Sequence, residues 1–596
     1  MNRRVRQIVE STLEALRNEG LFEGELPPVT LERPKRPEHG DAATNVALVL
    51  AKRAARPPRE IAEAIATRLR ADASGTIASV DVAGPGFLNV RLDPNAFLGV
   101  LANVHAEGEQ FGFAPAGSRG RRVNVEFVSA NPTGPLHFGH GRGAVLGDCI
   151  ARLLRATGWD VTTEFYINDR GAQVAALGRT LHYRYLQALG HEAVEPEGDG
   201  WYRGEYMVEL GQRLAREAGD AHAGKPAGDP FFRDYAKDIL LDVIRRDLAA
   251  LGVQIDVWSS ERALTETGLV EETLSALRAR GLVAEQDGAT MLLTGERFQD
   301  KEGRPKNEVL VKSDGELTYF ATDIPYHLDK LRRGADLLID VWGADHHGHV
   351  PRLRFALECA GADPTRFEVV LVQMVRAYRD GVEVKVSKRA GQYLTLAEIV
   401  DEVGPSAARF FFVLRRHDSQ LDFDVSLAKR QDQENPVFYV QYAHARCCSI
   451  VRKAREEHQL EVPAYDATLA RALEHPIERD VMLRLGELPE VVAAAADARD
   501  PHGVGVYLRE LAGLLASHYT QTKRTGDTVL PLPSTMASDG WRERWPWDRT
   551  RARLMWLDAA RQVLANALRL LGVDAPEKMA RLDVDETDGS TAPAEG

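Results

Sequence analysis

Two histidines three residues apart, His137 and His140, stand in the stretch NPTGPLHFGHGRGAVLGD over residues 131–148, among glycines and without a lysine. Imidazoles donate hydrogen bonds to phosphate oxygens and, when protonated, share developing negative charge. On a first helical turn that spacing projects both rings from one face. Gly139 between them lets a flat ligand such as a nucleobase approach the backbone. Two other phosphate loops do not fit. A P-loop needs four residues between its glycine and a Gly-Lys-Ser/Thr, and a dinucleotide fingerprint needs G-x-G-x-x-G; Gly139, Gly141, Gly143 and Gly147 satisfy neither. From these residues alone, a glycine-rich turn with surface histidines stands level with an anion site.

The elements that must hold these side chains are legible on either side. RRVNVEFVSA alternates Val123, Val125 and Phe127 with polar residues, the period of a strand, and GRGAVLGDCIARLLRATG reads as a helix closed by Gly158. A strand feeding a helix N-terminus presents unpaired N–H groups and the positive end of the helix dipole to an anion. Residues 121–405 continue this way: strand-like runs (RVNVEFVS, ADLLIDVWG, FEVVLVQMV) interleave with helical ones, which predicts a parallel α/β sheet. One insertion, about 175–290, reads as largely helical and charged. Residues 1–112 alternate helical patterns with runs such as SVDVAGPGFLNVRL, a separate small α+β domain, and FGFAPAGSRG then reads as a linker. From about 406 the strands vanish, and Phe438, Tyr442, Ala445 and Ser449, then Leu557, Leu564, Leu568 and Leu571, recur at helical spacing. Residues 406–580 are therefore expected to be an all-α bundle, followed by an acidic, disordered tail over 581–596.

Composition narrows the class. A chain of 596 residues exceeds one ordinary core, so about three or four domains are expected. The net charge of −13, from 75 basic and 88 acidic residues, gives no global attraction to nucleic acid, so an RNA partner would need a local basic surface. No run approaches the length of a membrane span, and the first twenty residues form an amphipathic pattern with charges throughout in place of a signal core. No membrane association and a cytoplasmic location are the expectation. Cys149, Cys359, Cys447 and Cys448 contain no Cys-x-x-Cys pair, which favours reduced structural thiols over a zinc ribbon or disulfide framework.

A second anchor follows the strand-like FEVVLVQMV. EVKVSKRAGQ clusters Lys385, Ser387, Lys388 and Arg389 before a glycine, on a loop leaving the carboxyl end of a sheet strand, where ligand crevices lie. With this the chain resembles the class I aminoacyl-tRNA synthetases. Their signatures are a His-x-Gly-His near the start of a nucleotide-binding fold and a Lys-Met-Ser-Lys-Ser loop near its end. Here His137-Phe138-Gly139-His140 and Lys385-Val386-Ser387-Lys388-Arg389 stand about 250 residues apart in that order, with Val386 and Arg389 departing from the pattern. VEFVSANPTGPLHFGHGR, YINDRGAQ, ELTYFATDIPY, GADHHGHVPRL, VQYAHARCCSI and the N-terminal GPGFLNVRL are like the arginine-specific members in particular.

The resemblance implies a multidomain α/β protein: a small N-terminal α+β domain reading the tRNA elbow, a Rossmann-like parallel-sheet catalytic domain with insertions, and an all-α anticodon-binding bundle. It implies activation of L-arginine by ATP with Mg²⁺, transfer to the 3′ end of tRNA(Arg), and a monomer. His137, His140, Lys385 and Lys388 would be the catalytic donors; Pro132, Gly134, Gly139, Val386 and Ser387 would join His137, His140 and Lys388 around ATP. Arginine's always-charged, planar guanidinium demands carboxylates. Tyr319 and Asp323, one helical turn apart, would meet it by resemblance, with Glu261 as the candidate second carboxylate. Asn131 and Glu126 would hold the amino-acid end, and Asp345 would line the arginine and ATP crevice. His346, His347 and His349 beside Asp345 match no metal motif, so no metal site is expected. For tRNA, Phe87 and Asn89 alternate with Leu88 and share a strand face, while Tyr439, Tyr442, Arg446 and Met579 are the bundle's candidates. Another class I synthetase, or a synthetase-like RNA-binding protein without catalysis, are the alternatives.

Overall fold

The computed structural model describes residues 2–579 apart from 33, 35, 73, 197–200, 300 and 385–393. Lys385, Val386, Ser387 and Lys388, like the acidic tail 581–596, lie outside the described residues.

Five strands build the central sheet: β1 Arg122–Phe127, β2 Asp160–Ile167, β3 Val257–Ser260, β4 Leu337–Gly343 and β5 Phe367–Val372. All pairs are parallel, in the order β5-β4-β1-β2-β3. After β3 the chain crosses back to the far side of β1, so a crevice opens at the carboxyl ends of β1 and β4, where the winding direction reverses. β1 runs into helix α1, Phe138–Ala156, and β4 into the turn Ala344–Gly348. Helix α2, Tyr319–Arg332, precedes β4. Val123 to Phe127 are all buried, the signature of a strand covered on both faces.

The glycines of α1 have a packing reason. A Cβ at Gly147 would lie 2.2 Å from Phe127 Cγ, and one at Gly141 would lie 2.7 Å from Leu396 Cδ1 and 2.8 Å from Phe412 Cζ. They let the helix sit directly on β1 and on the chain after residue 394. Gly147→Ala is expected to cost about 1–3 kcal/mol by overpacking, read as a lowered thermal midpoint; an unchanged midpoint would show that Phe127 can yield.

The insertion differs from its expectation. Helices Ala172–Leu189, Glu205–Ala218 and Pro230–Ala250 form a unit around Leu177, Leu181, Met207 and Phe232. β3 then returns to the sheet, and helix Leu269–Ala279 follows with an antiparallel sheet of Val283–Gln286, Ala289–Leu292 and Glu308–Val311. One helical insertion is thus two, split by a strand of four residues, too short to show a period. Nor do strands end at 406: Leu421–Asp424 pairs in parallel with Val375–Arg379.

At the N-terminus, Ala42–Thr44, Phe87–Leu92 and Ile77–Ala83 form an antiparallel sheet covered by helix Pro58–Arg70, against which helix Asn2–Asn18 packs. Long helices Pro436–His458, His502–Thr525 and Trp547–Leu571 form the C-terminal bundle. Buried Arg409 locks this bundle to α1. Its guanidinium donates to Asp148 of α1 at 2.5 Å, to the Leu571 carbonyl at 2.7 Å and to the Leu251 carbonyl at 3.0 Å.

Candidate active site

His137 is the N-cap of α1, with φ −81° and ψ 158°, and its ring stacks on that of His140 at 3.5 Å between centroids and 21° between planes. The His137 N–H donates to His140 Nδ1 at 3.3 Å. With Nδ1 accepting, the neutral ring carries its proton on Nε2. The chain re-entering at Leu394 is bonded to this same corner: Phe138 N–H donates to the Leu394 carbonyl at 2.9 Å and Leu396 N–H to the Leu136 carbonyl at 2.8 Å. The described chain thus resumes, at Leu394, beside the helix N-terminus that carries the histidines.

Across the crevice two carboxylates converge. Thr318 caps α2, its hydroxyl accepting from Ala321 N–H, which starts the helix so that Tyr319 and Asp323 share a face, with Tyr319 exposed at the mouth. Ser260 caps the short helix Glu261–Glu266 and delivers Glu261 into the interior. Glu261 Oε1 accepts from the Thr322 hydroxyl at 3.3 Å, while Oε2 is buried without a partner among the described residues. Burial raises the Glu261 carboxyl above the ordinary carboxylate range, Thr322 and Arg170 oppose this, and Asp323 adds to it. The buried Tyr166 hydroxyl lies in the field of the same two carboxylates, its ring 4.4 Å from that of Tyr326. Asp323 Oδ2 accepts from His349 Nε2 at 3.0 Å. A buried, unsatisfied carboxylate oxygen beside a second carboxylate suits a multidentate cation. Because Glu261 protonates at a higher pH than a solvated glutamate, affinity for such a cation should fall on acidification, beginning above the ordinary carboxylate range. Titration of binding against pH tests this, and a flat profile down to ordinary carboxylate pH would exclude Glu261.

Behind the pocket, sheet register sets three acids in a row: Asp340 of β4 opposite Glu126 of β1, opposite Glu164 of β2. Such a buried ladder needs cations, and α2 with its C-cap supplies them. Buried Lys330 pairs with Glu126 and, at 3.2 Å, with Asp340; His327 bonds Asp340 at 2.8 Å; Arg333 bonds Glu164 at 2.8 Å. Burial would lower the Lys330 ammonium, but Asp340, Glu126 and Glu164 outweigh it and hold it raised and charged. Glu126, His327 and Asp340 have the spacing of metal ligands, yet the Lys330 ammonium already bonds both carboxylates.

Glu126 therefore faces inward. Its other oxygen accepts from the Ser129 hydroxyl at 2.7 Å, which also receives Tyr166 N–H at 3.0 Å. Val128 and Ser129 have φ of 71° and 37°, a strained bend for a β-branched residue and its neighbour immediately after β1. Asn131 donates to Gln173 Oε1 at 2.7 Å and accepts from Asn168 at 3.0 Å, on the rim of the crevice. In the same loop Pro132 is buried and Gly134 half-buried, while Gly139 is exposed on α1. The Asp345 side chain is 82% exposed and 3.7 Å from His346, while His349 is the residue of this turn that bonds Asp323. Sequence reasoning missed Ser129, Tyr166 and Thr322, and weighed His349 only as a metal ligand; each is a neighbour in sequence of a motif residue, but only the strand register and helix phase turn them inward.

Comparison with known families decides between the readings. The model described as tRNA synthetases class I (R), catalytic domain, matches residues 101–414, and that of the arginyl tRNA synthetase N terminal domain matches 3–92. The chain belongs to the arginyl-tRNA synthetase family. A DALR anticodon binding domain model matches residues 440–579 of this synthetase chain. An arginine–tRNA ligase of Nitratidesulfovibrio vulgaris (strain DSM 19637 / Miyazaki F) is 44% identical over 578 residues, covering 97% of this chain and 100% of that protein. One of Geobacillus thermodenitrificans (strain NG80-2) is 45% identical over 576 residues, with 96% and 98% covered. Among solved structures, an arginyl tRNA synthetase of Campylobacter jejuni aligns at TM-score 0.70 and 31% identity over 81% of this chain and 99% of that one. The Thermus thermophilus arginyl-tRNA synthetase aligns at 0.72 over 97% and 100%, and at 23% identity shows the common fold.

In this synthetase the N-terminal sheet presents Phe87, 42% exposed, and half-buried Asn89 on one open strand face. In the bundle, Arg446 lies 4.7 Å over Tyr442 and 4.1 Å over Tyr519, and Tyr439 and Met579 are half-buried. No helix of the described residues is long and apolar enough to cross a membrane.

Proposed function

We propose that the crevice seats arginine with its guanidinium between Glu261 and Asp323, Tyr319 closing the mouth, and its carboxylate toward the N-terminus of α1. The observation that carries this is the buried Glu261 oxygen left without a partner beside Asp323. ATP, arriving as its magnesium complex, lies along Pro132, Gly134, Gly139, Val386 and Ser387. The arginine carboxylate attacks the α-phosphorus; the new C–O–P linkage forms as the bond to the β-phosphate breaks and pyrophosphate leaves. Little covalent work falls to the protein. His137, His140, Lys385 and Lys388 neutralise charge as it develops on the phosphates. A 3′-terminal ribose hydroxyl of tRNA(Arg) then attacks the adenylate carbonyl and releases AMP. Glu126 acts through Ser129, which it orients toward the amino-acid end with Asn131.

Phe87 and Asn89 read the tRNA elbow and Tyr439, Tyr442, Arg446 and Met579 the anticodon, since splayed RNA bases stack on aromatics and bond amide side chains. The enzyme works as a monomer in the cytoplasm. Purified protein should charge tRNA(Arg) with arginine in an ATP-dependent manner; charging with a different amino acid under the same conditions would overturn the reading.

A further inference from the structure

The three-helix insertion carries a cluster of aromatic and basic groups that the chemistry above does not use. Trp201, at the approach to helix Glu205–Ala218, has the Arg184 guanidinium 5.3 Å and the Arg203 guanidinium 5.0 Å from its ring centroid. The ring meets Tyr183 edge-on at 5.8 Å and 79°. Arg184 donates to the neutral Gln187 at 2.8 Å, and among the described residues no carboxylate pairs with either guanidinium. In a chain of net charge −13, two cations without a carboxylate partner among the described residues, set over a half-buried indole, suit a polyanion that brings its own π faces.

The cluster is continuous with the crevice. Tyr202 N–H donates to the Thr180 hydroxyl at 3.3 Å and its own hydroxyl to the Gln173 carbonyl at 3.5 Å. Gln173 in turn accepts from Asn131, and the Tyr206 hydroxyl donates to the Thr133 carbonyl at 2.7 Å. Trp201 therefore stands on the rim of the loop 131–134 that leads to His137. Base faces are available in an unpaired strand and hidden in a duplex. The acceptor end of a tRNA is unpaired and has to reach the adenylate, and this rim borders the loop that leads there.

We propose that Trp201, flanked by Arg184 and Arg203, is the stacking platform for the single-stranded 3′ nucleotides of the tRNA on their way to the crevice. This rests on the tRNA-charging reading. The test compares full-length wild type, Trp201→Ala and Trp201→Phe in steady-state charging and in equilibrium binding of two RNAs, intact tRNA(Arg) and the same tRNA lacking its unpaired 3′ nucleotides. Loss of one stacked base costs about 1–3 kcal/mol, so Trp201→Ala should weaken binding of the intact RNA, and raise its KM, about 5- to 150-fold. Trp201→Phe should recover most of this, and the shortened RNA should bind all three proteins alike. Equal weakening of both RNAs by Trp201→Ala, or no weakening of either, overturns the platform. So does a loss that Trp201→Phe fails to recover and that accompanies a fallen thermal midpoint, since the indole would then be only structural. Failure of the wild type to charge any tRNA with arginine would sink the function instead, while the two-RNA binding comparison would still report on Trp201.

Discussion

Asp323→Ala raises the KM for arginine about thirtyfold or more and leaves the KM for ATP nearly unchanged. Removing one partner of a desolvated, hydrogen-bonded charge pair costs about 2–5 kcal/mol, much of it from the charge left unpaired, and about 1.4 kcal/mol is a factor of ten. Here the unpaired charge would be the substrate's own guanidinium, which cannot be deprotonated. Asp323→Asn keeps an acceptor for His349 and so separates loss of charge from loss of that hydrogen bond; it should recover only a minor part of the defect. Glu261 sharpens the test, because burial already disfavours its charged form. Glu261→Gln should raise the thermal midpoint of the ligand-free enzyme while it raises the arginine KM. A carboxylate that merely held the fold would lower the first and leave the second alone. An unchanged arginine KM in both variants would place the guanidinium elsewhere.

What was legible in the sequence is what short-range spacing controls. His137 and His140 sit one cap and one turn apart on α1, and Tyr319 and Asp323 sit one turn apart on α2; those positions follow from helical geometry once the helix start is recognised by its capping residue. Glu261 was readable as an acid near a strand end, but its burial is a property of the tertiary structure, since Ser260 turns the chain inward only where β3 joins the sheet. Glu126 shows the opposite case. Its motif is local, but its neighbours are set by register: Asp340, about 210 residues downstream, and Glu164 stand opposite it, and Lys330 answers both Glu126 and Asp340. No spacing along the chain announces that ladder. The glycines of α1 carry a third kind of ambiguity, because a glycine needed for close packing on Phe127 and one needed beside a phosphate look alike in a sequence. Strands of four residues, β3 and Leu421–Asp424, were missed for want of length, and with them the division of the insertion.

His140→Ala lowers kcat for arginine activation by about 100- to 1,000-fold, the range for removing one preorganised donor to a transition-state oxyanion, and changes the arginine KM little. Two functions of the ring must be told apart. Its Nδ1 accepts the His137 N–H at the helix cap, which is structural, and in the proposed complex its Nε2 donates to a phosphate oxygen. Asparagine can reproduce the first but is too short for the second. His140→Asn should therefore keep the thermal midpoint of the wild type and yet be almost as slow as His140→Ala; if it restores kcat, the histidine acts through the cap alone. Lys388 supplies the complementary check. Its loop re-enters the described chain at Leu394, bonded to Phe138 beside this same corner. If ammonium and imidazole act on one transition state, Lys388→Ala and the double variant should show coupling, with a combined loss smaller than the product of the two single losses. Strict multiplicativity would mean that the lysine and the histidine serve separate steps, and the shared grip on one triphosphate would have to be given up.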